Sequence, residues 1–398
     1  ATRTPSGEES GAAGGSDRNF GPRTDDTKPA ESSAQSGKPD GGEAATAAPA
    51  TSSDPVAARL QSLTVRQRAA QLMIVTLQGT TMPDSRDTLV LTKCTPGGVV
   101  LPSVLRPVDA YDYVEAVHKL PGEAATGIPY LVGTNLYDLP KGRNAPNEFF
   151  FQLPSLLSVA AANDAASTEQ LGGIIADQLS AMGFNMNLGP SLELSAEIEG
   201  VKGTLDCLGS DPKFVGEAGG ALLKALTDKG ILAVPMGFPG GGANRMPNEP
   251  AVLLTPESLL AERDLLPFRL AIEAGTPIVH VANTYVPAIE EGRRPASMSA
   301  AVIRDLLRSK LGFKGVVVAG PLDTNDVARV MDPSEAAIES LKAGADMILW
   351  NEAGARVMKT VDEIGKALND GRLSQEVIDA ALRRVLEMKE SLGLKGRE

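Results

Sequence analysis

A cluster of glycines follows an apolar segment in the middle of the chain, where residues 233–245 read AVPMGFPGGGANR. Glycine lets the backbone adopt positive φ and approach a ligand closely, so such a cluster can cradle a phosphate group. The Lys-Ser/Thr pair of a phosphate-binding P-loop is absent from this stretch. The glycines alone are therefore weak support for phosphate binding, and they supply no side chain for catalysis.

Metal and disulfide chemistry have few candidate groups in this chain. It contains two histidines, His118 and His280, and two widely separated cysteines, Cys94 and Cys207. These numbers and spacings fit neither a zinc site nor a disulfide framework. We therefore predict no metal, no cofactor and two buried thiols, with a single Cys–Cys bridge as the alternative. His280 lies within an apolar segment and is predicted to be a core residue.

The overall composition narrows the classes of partner. A net charge of −12 over 398 residues argues against nucleic acid and anionic membranes as partners. No run of about 18 apolar residues occurs, so no transmembrane segment is predicted. The hydrophobic fraction of 42% is enough for one large core or two ordinary ones.

The first 55 residues differ in composition from the rest. They consist mostly of Ala, Gly, Ser, Thr, Pro and charged residues, and Phe20 is their only large apolar residue. Such a segment cannot bury enough surface to offset the entropy of ordering, so we predict a disordered tether over 1–55 and a folded domain over 56–398. Leaders of this kind often separate an export or lipid-anchor signal from a folded domain. We therefore expect an extracytoplasmic protein, either secreted or anchored to the cell envelope.

From Val56 onward, short apolar runs alternate with longer amphipathic segments. Helical spacing of apolar residues is clearest over 167–183, 297–312 and 374–394. The predicted strands are Leu72–Val75, Gly98–Leu101, Tyr130–Thr134, Met186–Leu188, Leu232–Val234, Ile278–Ala282, Val316–Val318 and Met347–Leu349. Eight strands, each followed by helical sequence, predict an α/β fold of one domain, a TIM-like (β/α)8 barrel. A doubly wound open sheet is the alternative.

Several motifs between about Leu60 and Leu394 resemble the barrel domain of family-3 glycoside hydrolases, especially the single-domain bacterial β-N-acetylglucosaminidases. They occur in the family's order and include GGVVL, PSLLSVAAANDAAS, MGFNMNLGPSLEL, GSDPKFVGEAG, FPGGG, ERDLLPFRLAIEAG, RPASMS, LGFKGVVV and LKAGADMIL. The resemblance implies a TIM barrel built for O-glycosyl hydrolysis.

The same resemblance places glycine where the family has its catalytic groups. The family's stretch KHFPGHGD corresponds to residues 236–243, so its acid/base histidine aligns with Gly241 and the Asp partner with Ala243. The nucleophilic Asp that follows the seventh strand aligns with Gly320. Retaining glycoside hydrolysis needs a nucleophilic carboxylate and a second proton-transfer group. We therefore predict that this chain has lost the family's reaction.

Sugar-contacting positions differ from the family as well. The Lys-His pair becomes Met236 and Gly237, and Glu193 stands where the family has Asp. Glu193 is either a hydrogen-bonding group in a residual pocket or the partner of a cation such as Arg245. Trp350, at the end of the eighth strand, either stacks on a ligand or packs beneath a loop. The candidate binding residues at the barrel mouth are Asn135, Glu193, Asp206, Met236, Arg245, Asn283, Asp323 and Trp350.

Three functions remain open from the sequence. The first is an inactive homologue that binds cell-wall glycan or an envelope protein. The second is an active β-N-acetylhexosaminidase-like enzyme with an acid pair rebuilt from Glu193, Asp323 or Asp326. The third is a protein–protein scaffold without a sugar pocket. The sequence does not specify the oligomeric state.

Overall fold

The computed structural model describes residues 54–102, 107–135, 154–162, 164–195, 207–241 and 251–394. The tether predicted over 1–55 lies almost wholly outside the described residues. Three positions from the sequence analysis, Asp206, Ala243 and Arg245, also lie outside them.

Eight parallel strands form one sheet, and each begins and ends within three residues of a predicted strand. They are β1 (Met73–Thr76), β2 (Gly98–Val100), β3 (Leu131–Thr134), β4 (Met186–Ser191), β5 (Leu232–Met236), β6 (Ile278–Val281), β7 (Val316–Ala319) and β8 (Met347–Trp350). Their order in the sheet is β5-β4-β3-β2-β1-β8-β7-β6.

The two terminal strands of that order, β5 and β6, meet just beyond the end of β5. Phe238 bridges Val281 in parallel. The Phe238 N–H donates to the carbonyl of His280 at 3.0 Å, and the Ala282 N–H donates to the carbonyl of Phe238 at 2.9 Å. The sheet thereby forms a nearly closed barrel. This confirms the predicted (β/α)8 architecture, and the open doubly wound alternative is wrong.

Helices surround the strands on the outside. They are α1 (Pro55–Ser62), α2 (Val65–Gln71), α3 (Ser85–Leu89), α4 (Pro107–Lys119), α5 (Gly122–Thr126), α6 (Leu156–Ala162), α7 (Ala165–Ala181), α8 (Pro212–Asp228), α9 (Glu257–Leu260), α10 (Leu266–Glu273), α11 (Asn325–Ala328), α12 (Pro333–Ala343), α13 (Ala355–Asn369) and α14 (Gln375–Ser391). Within the described ranges, no helix combines the length and hydrophobicity needed to cross a membrane.

Local sequence explains where the longer helices begin. Asp164 and Asp211 cap α7 and α8, because their carboxylates accept hydrogen bonds from the first-turn N–H groups. The sequence predicts a single helix over 297–312. The structure has a short 3₁₀ turn there, followed by a π-helix, Ala301–Lys310. The Ser299 hydroxyl oxygen accepts from the Val302 N–H in the first turn of that π-helix, at 3.2 Å.

Side chains along each strand alternate between two apolar layers. The barrel interior contains Ile74, Val100, Leu131, Met186, Leu188, Leu232, Val234, Ile278, Val316, Val318, Met347 and Leu349. A larger cluster fills the space between the sheet and the helices, and it includes Val75, Val132, Val279, Val317, Ile348 and Trp350. Cys94 and Cys207 are both buried and are not joined by a disulfide, so the thiol prediction is confirmed.

The C-terminal helix α14 closes the base of the barrel. Its Lys389 is fully buried, and the ammonium donates to the carbonyls of Gly97 at 2.6 Å and Pro129 at 2.8 Å. Burial lowers the pKa of Lys389 to about 7, although the charge of Glu123 opposes the shift. The base of the barrel is therefore tied by a buried lysine amine, well separated from the strand ends that form the mouth.

Candidate active site at the barrel mouth

The C-terminal ends of β4 and β5 bring Glu193 against Gly237. Met236 is the last residue of β5 and packs against the interior layer of the barrel. Gly237 follows with φ +101°, a conformation that L residues rarely adopt. A Cβ added to Gly237 would lie only 2.6 Å from Cδ of Glu193. The carboxylate arm of Glu193 therefore occupies the space into which a side chain at position 237 would project.

The glycine cluster beyond β5 is closed in a similar way. Gly241 has φ +89°. A Cβ there would lie 2.9 Å from Cβ and 3.1 Å from Cα of Leu253. Real Cβ atoms essentially never approach other heavy atoms so closely, and part of this obstruction is backbone. The position that the family resemblance assigns to an acid/base histidine therefore has no room for a side chain.

At the end of β7, the two atoms that obstruct a side chain most closely are backbone atoms. Gly320 has φ +129° and is buried. A Cβ at this residue would lie 2.9 Å from the backbone N of Leu322 and 2.9 Å from the carbonyl O of Leu349. Those two atoms are hydrogen-bonded to each other at 3.1 Å, so the added atom would intrude on a bond between the loop after β7 and strand β8. A carboxylate at position 320 would require the backbone itself to move.

His280 lies inside the barrel between these two strand ends and is 4% exposed. Its Nδ1 accepts from the Gly237 N–H at 3.3 Å, and its Nε2 lies 2.8 Å from the Gly320 carbonyl O. Because a carbonyl only accepts, these partners require the neutral tautomer with the proton on Nε2. Burial lowers the pKa of His280 to about 4, while the hydrogen bond to Gly320 opposes that shift. The prediction of a core histidine is confirmed.

Asn283, just beyond β6, is held by internal hydrogen bonds. Its Nδ2 donates to the Pro321 carbonyl at 2.6 Å, and its Oδ1 accepts from the Ser297 hydroxyl at 2.7 Å. The amide therefore joins the loops after β6 and β7. A ligand would have to displace one of these bonds before it could use this side chain.

Asp323 belongs to the loop after β7 but is directed toward the β8 loop. Its Oδ1 accepts from the Asn351 N–H at 2.8 Å. Burial raises the pKa of the Asp323 carboxyl, although that hydrogen bond and the nearby Arg356 charge oppose the shift. Asp326 lies in α11. Burial raises the pKa of Tyr285, and the charge of Asp326 raises it less strongly. Glu193 and Asp323 thus follow β4 and β7, which are separated in the barrel by β5 and β6.

The structure corrects the placement of Trp350. Its indole is 1% exposed and packs in the layer between the sheet and the helices. Its N–H has no hydrogen-bond partner. Because alternation along β8 directs Leu349 inward, it directs Trp350 outward, away from the mouth. Trp350 is therefore a core residue of the helix layer, a position that fits neither stacking on a ligand at the mouth nor packing beneath a mouth loop.

The other predicted site residues have mixed outcomes. Asn135 follows β3 at the mouth and is half-buried. Asp206 and Arg245 lie outside the described residues, so a pairing of Glu193 with Arg245 stays a prediction. No cluster of three or more His, Cys, Asp or Glu side chains suited to a metal ion occurs within the described ranges. The sequence analysis missed the obstruction by Leu253 and the bridging role of His280.

Comparisons with known proteins agree with the barrel. The profile of the glycosyl hydrolase family 3 N-terminal domain matches residues 64–388. A beta-N-acetylglucosaminidase/beta-glucosidase of Cellulomonas fimi is 26% identical over 75% of this chain and 53% of its own length. Beta-hexosaminidase LpqI of Mycobacterium tuberculosis is 30% identical over 59% of this chain and 62% of its own length. This chain therefore spans only part of the length of these two relatives.

A solved structure gives the same result. The glycoside hydrolase family 3 β-N-acetylglucosaminidase of Paenibacillus sp. superposes with a TM-score of 0.75 at 26% identity, covering 85% of this chain and 64% of the other. The profile match extends over most of the sequence, from the second helix to the last. The chain thus belongs to glycosyl hydrolase family 3, and its barrel corresponds to the N-terminal domain of that family.

Proposed function

We propose that this chain is a catalytically inactive member of glycosyl hydrolase family 3 that acts in the cell envelope by binding cell-wall glycan or an envelope protein. The observation that carries the proposal is the backbone at Gly320, where a Cβ would lie 2.9 Å from two backbone atoms. The motif resemblance places the family's nucleophile at this position. Residue 320 carries no carboxylate, and the surrounding backbone leaves no space for one.

The second catalytic position supports the same proposal. Retaining hydrolysis needs a group that protonates the leaving oxygen, and general acid–base catalysis is commonly worth about 10²–10⁴ in rate. Gly241 carries no such group, and Leu253 occupies the space beside it. Without a nucleophile, the covalent intermediate of the retaining route cannot form. Both halves of the family's mechanism are therefore missing from the positions where they are expected.

The type of ligand follows from the groups that remain at the mouth. Met236, Glu193 and His280 occupy space near the centre, and the Asn283 amide is engaged internally. Recognition is therefore expected on the rim rather than at the centre of the mouth. Because the relatives are named as β-N-acetylglucosaminidases and β-hexosaminidases, glycans that contain N-acetylglucosamine are the first ligands to test. The composition of residues 1–55 supports an envelope location.

One observation favours a second candidate, an enzyme with a rebuilt acid. Burial raises the pKa of the Asp323 carboxyl, which is the direction of shift that favours a general acid. Against this role, its carboxylate is directed to Asn351 on the β8 loop. A rebuilt pair would also require Glu193, on β4, as its partner across the mouth.

The decisive experiment is a turnover assay with 4-nitrophenyl β-N-acetylglucosaminide. The unmodified protein should release no nitrophenol above a buffer blank, and an active family member such as the Paenibacillus enzyme serves as the positive control. Asp323→Asn and Glu193→Gln variants should behave like the unmodified protein. If the unmodified protein releases nitrophenol and either substitution abolishes that release, the hypothesis of an inactive protein is refuted and a rebuilt acid is established.

Binding and location need separate measurements. Calorimetric titration with N-acetylglucosamine oligomers and co-sedimentation with insoluble peptidoglycan test the glycan ligand, with Asn135→Ala as a rim variant expected to weaken binding. Failure of both would reject glycan and favour an envelope protein, which photo-crosslinking in cells would then capture. Fractionation of the native organism tests location, and recovery from the cytoplasm alone would contradict the envelope assignment.

A further inference from the structure

We propose that His280 locks the barrel mouth in its side-chain-free arrangement by tying the ends of β5 and β7 together across β6. The imidazole accepts from the Gly237 N–H at 3.3 Å and donates to the Gly320 carbonyl, with Nε2 and O 2.8 Å apart. These two glycines occupy positions at which the family resemblance places a sugar-binding group and the nucleophile. This inference concerns a conformational device, and it stands whether or not the protein binds a glycan.

The two hydrogen bonds of His280 connect backbone groups of Gly237 and Gly320 that the hydrogen bonds between strands do not connect. β6 pairs with β7 through Val281 and Ala319, while β5 reaches β6 only through the single bridge at Phe238. His280 adds a connection from Gly237 to Gly320 that spans both junctions. Both of its ring nitrogens are used, and the imidazole is buried. A buried polar ring with two satisfied nitrogens favours a single arrangement, because any shift of either loop leaves a buried group without a partner.

The lock has a specific consequence for Gly320. An L side chain is strained at φ +129°, and its Cβ would collide with backbone atoms of Leu322 and Leu349. Relief requires rotation of the peptide units around residue 320, which moves the carbonyl that His280 holds. The His280 bond therefore opposes the backbone change that any side chain at position 320 demands. Residues 280 and 320 should be energetically coupled.

A double-mutant cycle measures this coupling. The cycle compares Gly320→Ala, His280→Met and the double variant by urea denaturation. In the His280→Met background the tie is already lost, so Gly320→Ala should be less damaging there than in the unmodified protein. We expect a difference of about tenfold in the unfolding equilibrium constant, which corresponds to about 1.4 kcal/mol.

A matched control separates this tie from general backbone strain. Gly230 also has positive φ, at +80°, but lies in the turn between α8 and β5 at the other end of the barrel, where a Cβ would meet nothing within 4 Å. Gly230→Ala combined with His280→Met should be additive within about twofold. Additivity of the Gly320 pair to the same degree would overturn the proposal.

A measurement on the unmodified protein covers the case in which a variant fails to fold. The chain has only two histidines, so ¹⁵N-labelled histidine gives two imidazole patterns, and a His118→Gln variant assigns them. At pH 7 we expect His280 to be neutral, with its proton on Nε2 and exchanging slowly with solvent. An Nδ1–H tautomer, a charged ring or rapid exchange of the Nε2 proton would each show that the two hydrogen bonds are not formed together, and the lock would be rejected.

Discussion

Replacing Gly320 with Asp puts back the carboxylate that the family resemblance places at this position. It is the simplest attempt to restore activity, and we expect it to fail. The backbone φ of +129° is strained for any residue with a Cβ, at a cost of about 1–3 kcal/mol. A Cβ there also intrudes on the hydrogen bond between Leu322 N and Leu349 O.

The magnitude follows from the bonds that the substitution disturbs. Movement of the backbone at residue 320 threatens the Leu322–Leu349 bond and the bond from His280 to the Gly320 carbonyl. Each hydrogen bond contributes about 0.5–1.5 kcal/mol net. Added to the strain, the loss should reach about 2–6 kcal/mol for Gly320→Ala, and more for Gly320→Asp because its charge is buried.

Urea denaturation and the nitrophenyl assay test this expectation together. Gly230→Ala, which introduces similar strain without an obstruction, should lose less stability than Gly320→Ala. Neither Gly320→Asp nor its combination with Gly241→His should release nitrophenol. A Gly320→Asp variant that unfolds within about 1 kcal/mol of the unmodified protein would show that the position is open. Hydrolytic activity in that variant would refute the reasoning from backbone packing.

Three further outcomes follow from buried groups away from the mouth. Lys389 has a folded-state pKa of about 7 against an ordinary 10.5, so between these values the unfolded chain binds more protons. The free energy of unfolding should therefore rise from pH 7 to 8.5 by up to about 2 kcal/mol, and urea titrations of Lys389→Met should lack that rise. Asp346→Asn should cost about 3–5 kcal/mol in urea denaturation, because the buried Asp346 carboxylate pairs with both Arg308 and Arg384. Trp350→Phe should change stability by only about 1 kcal/mol and leave calorimetric glycan binding unaltered, because the indole N–H has no partner and faces the helix layer.

The strands could be predicted from sequence because each is buried on both faces. A parallel strand covered on both sides is a nearly continuous apolar run, as in Val316–Ala319 of β7. The same continuity hides which side chains face inward. Met347–Trp350 is apolar at all four positions, so nothing in its pattern distinguishes the barrel interior from the helix layer. Trp350 was therefore placed at the correct strand end and assigned a ligand-facing alternative that the alternation excludes.

The mouth shows the other limit of sequence analysis. The family motifs identified glycine at positions 241 and 320, but they gave no information on whether the space beside each glycine is empty or filled. The obstructing atoms at Gly241 belong to the side chain and backbone of Leu253, whereas the two nearest at Gly320 are backbone atoms of Leu322 and Leu349. Obstruction by backbone atoms cannot be recognised in the sequence, because many residue types can follow the same main-chain path. His280 offered a weak signal as a polar residue in an apolar strand, although its two partners depend on tertiary pairing.

The space beside Gly237 and Gly241 at the barrel mouth is filled by neighbouring residues, and this bears on the protein's function. Removal of a large side chain from a packed site normally leaves a cavity, and such cavities destabilise a fold. At Gly237 and Gly241, however, the space beside the glycine is taken by Glu193 and by Leu253. Under the proposed inactive function, a gain of hydrolysis would therefore need paired changes, one to introduce each catalytic group and another to clear its place. The same proposal directs the search for a ligand to the rim rather than to the packed centre of the mouth.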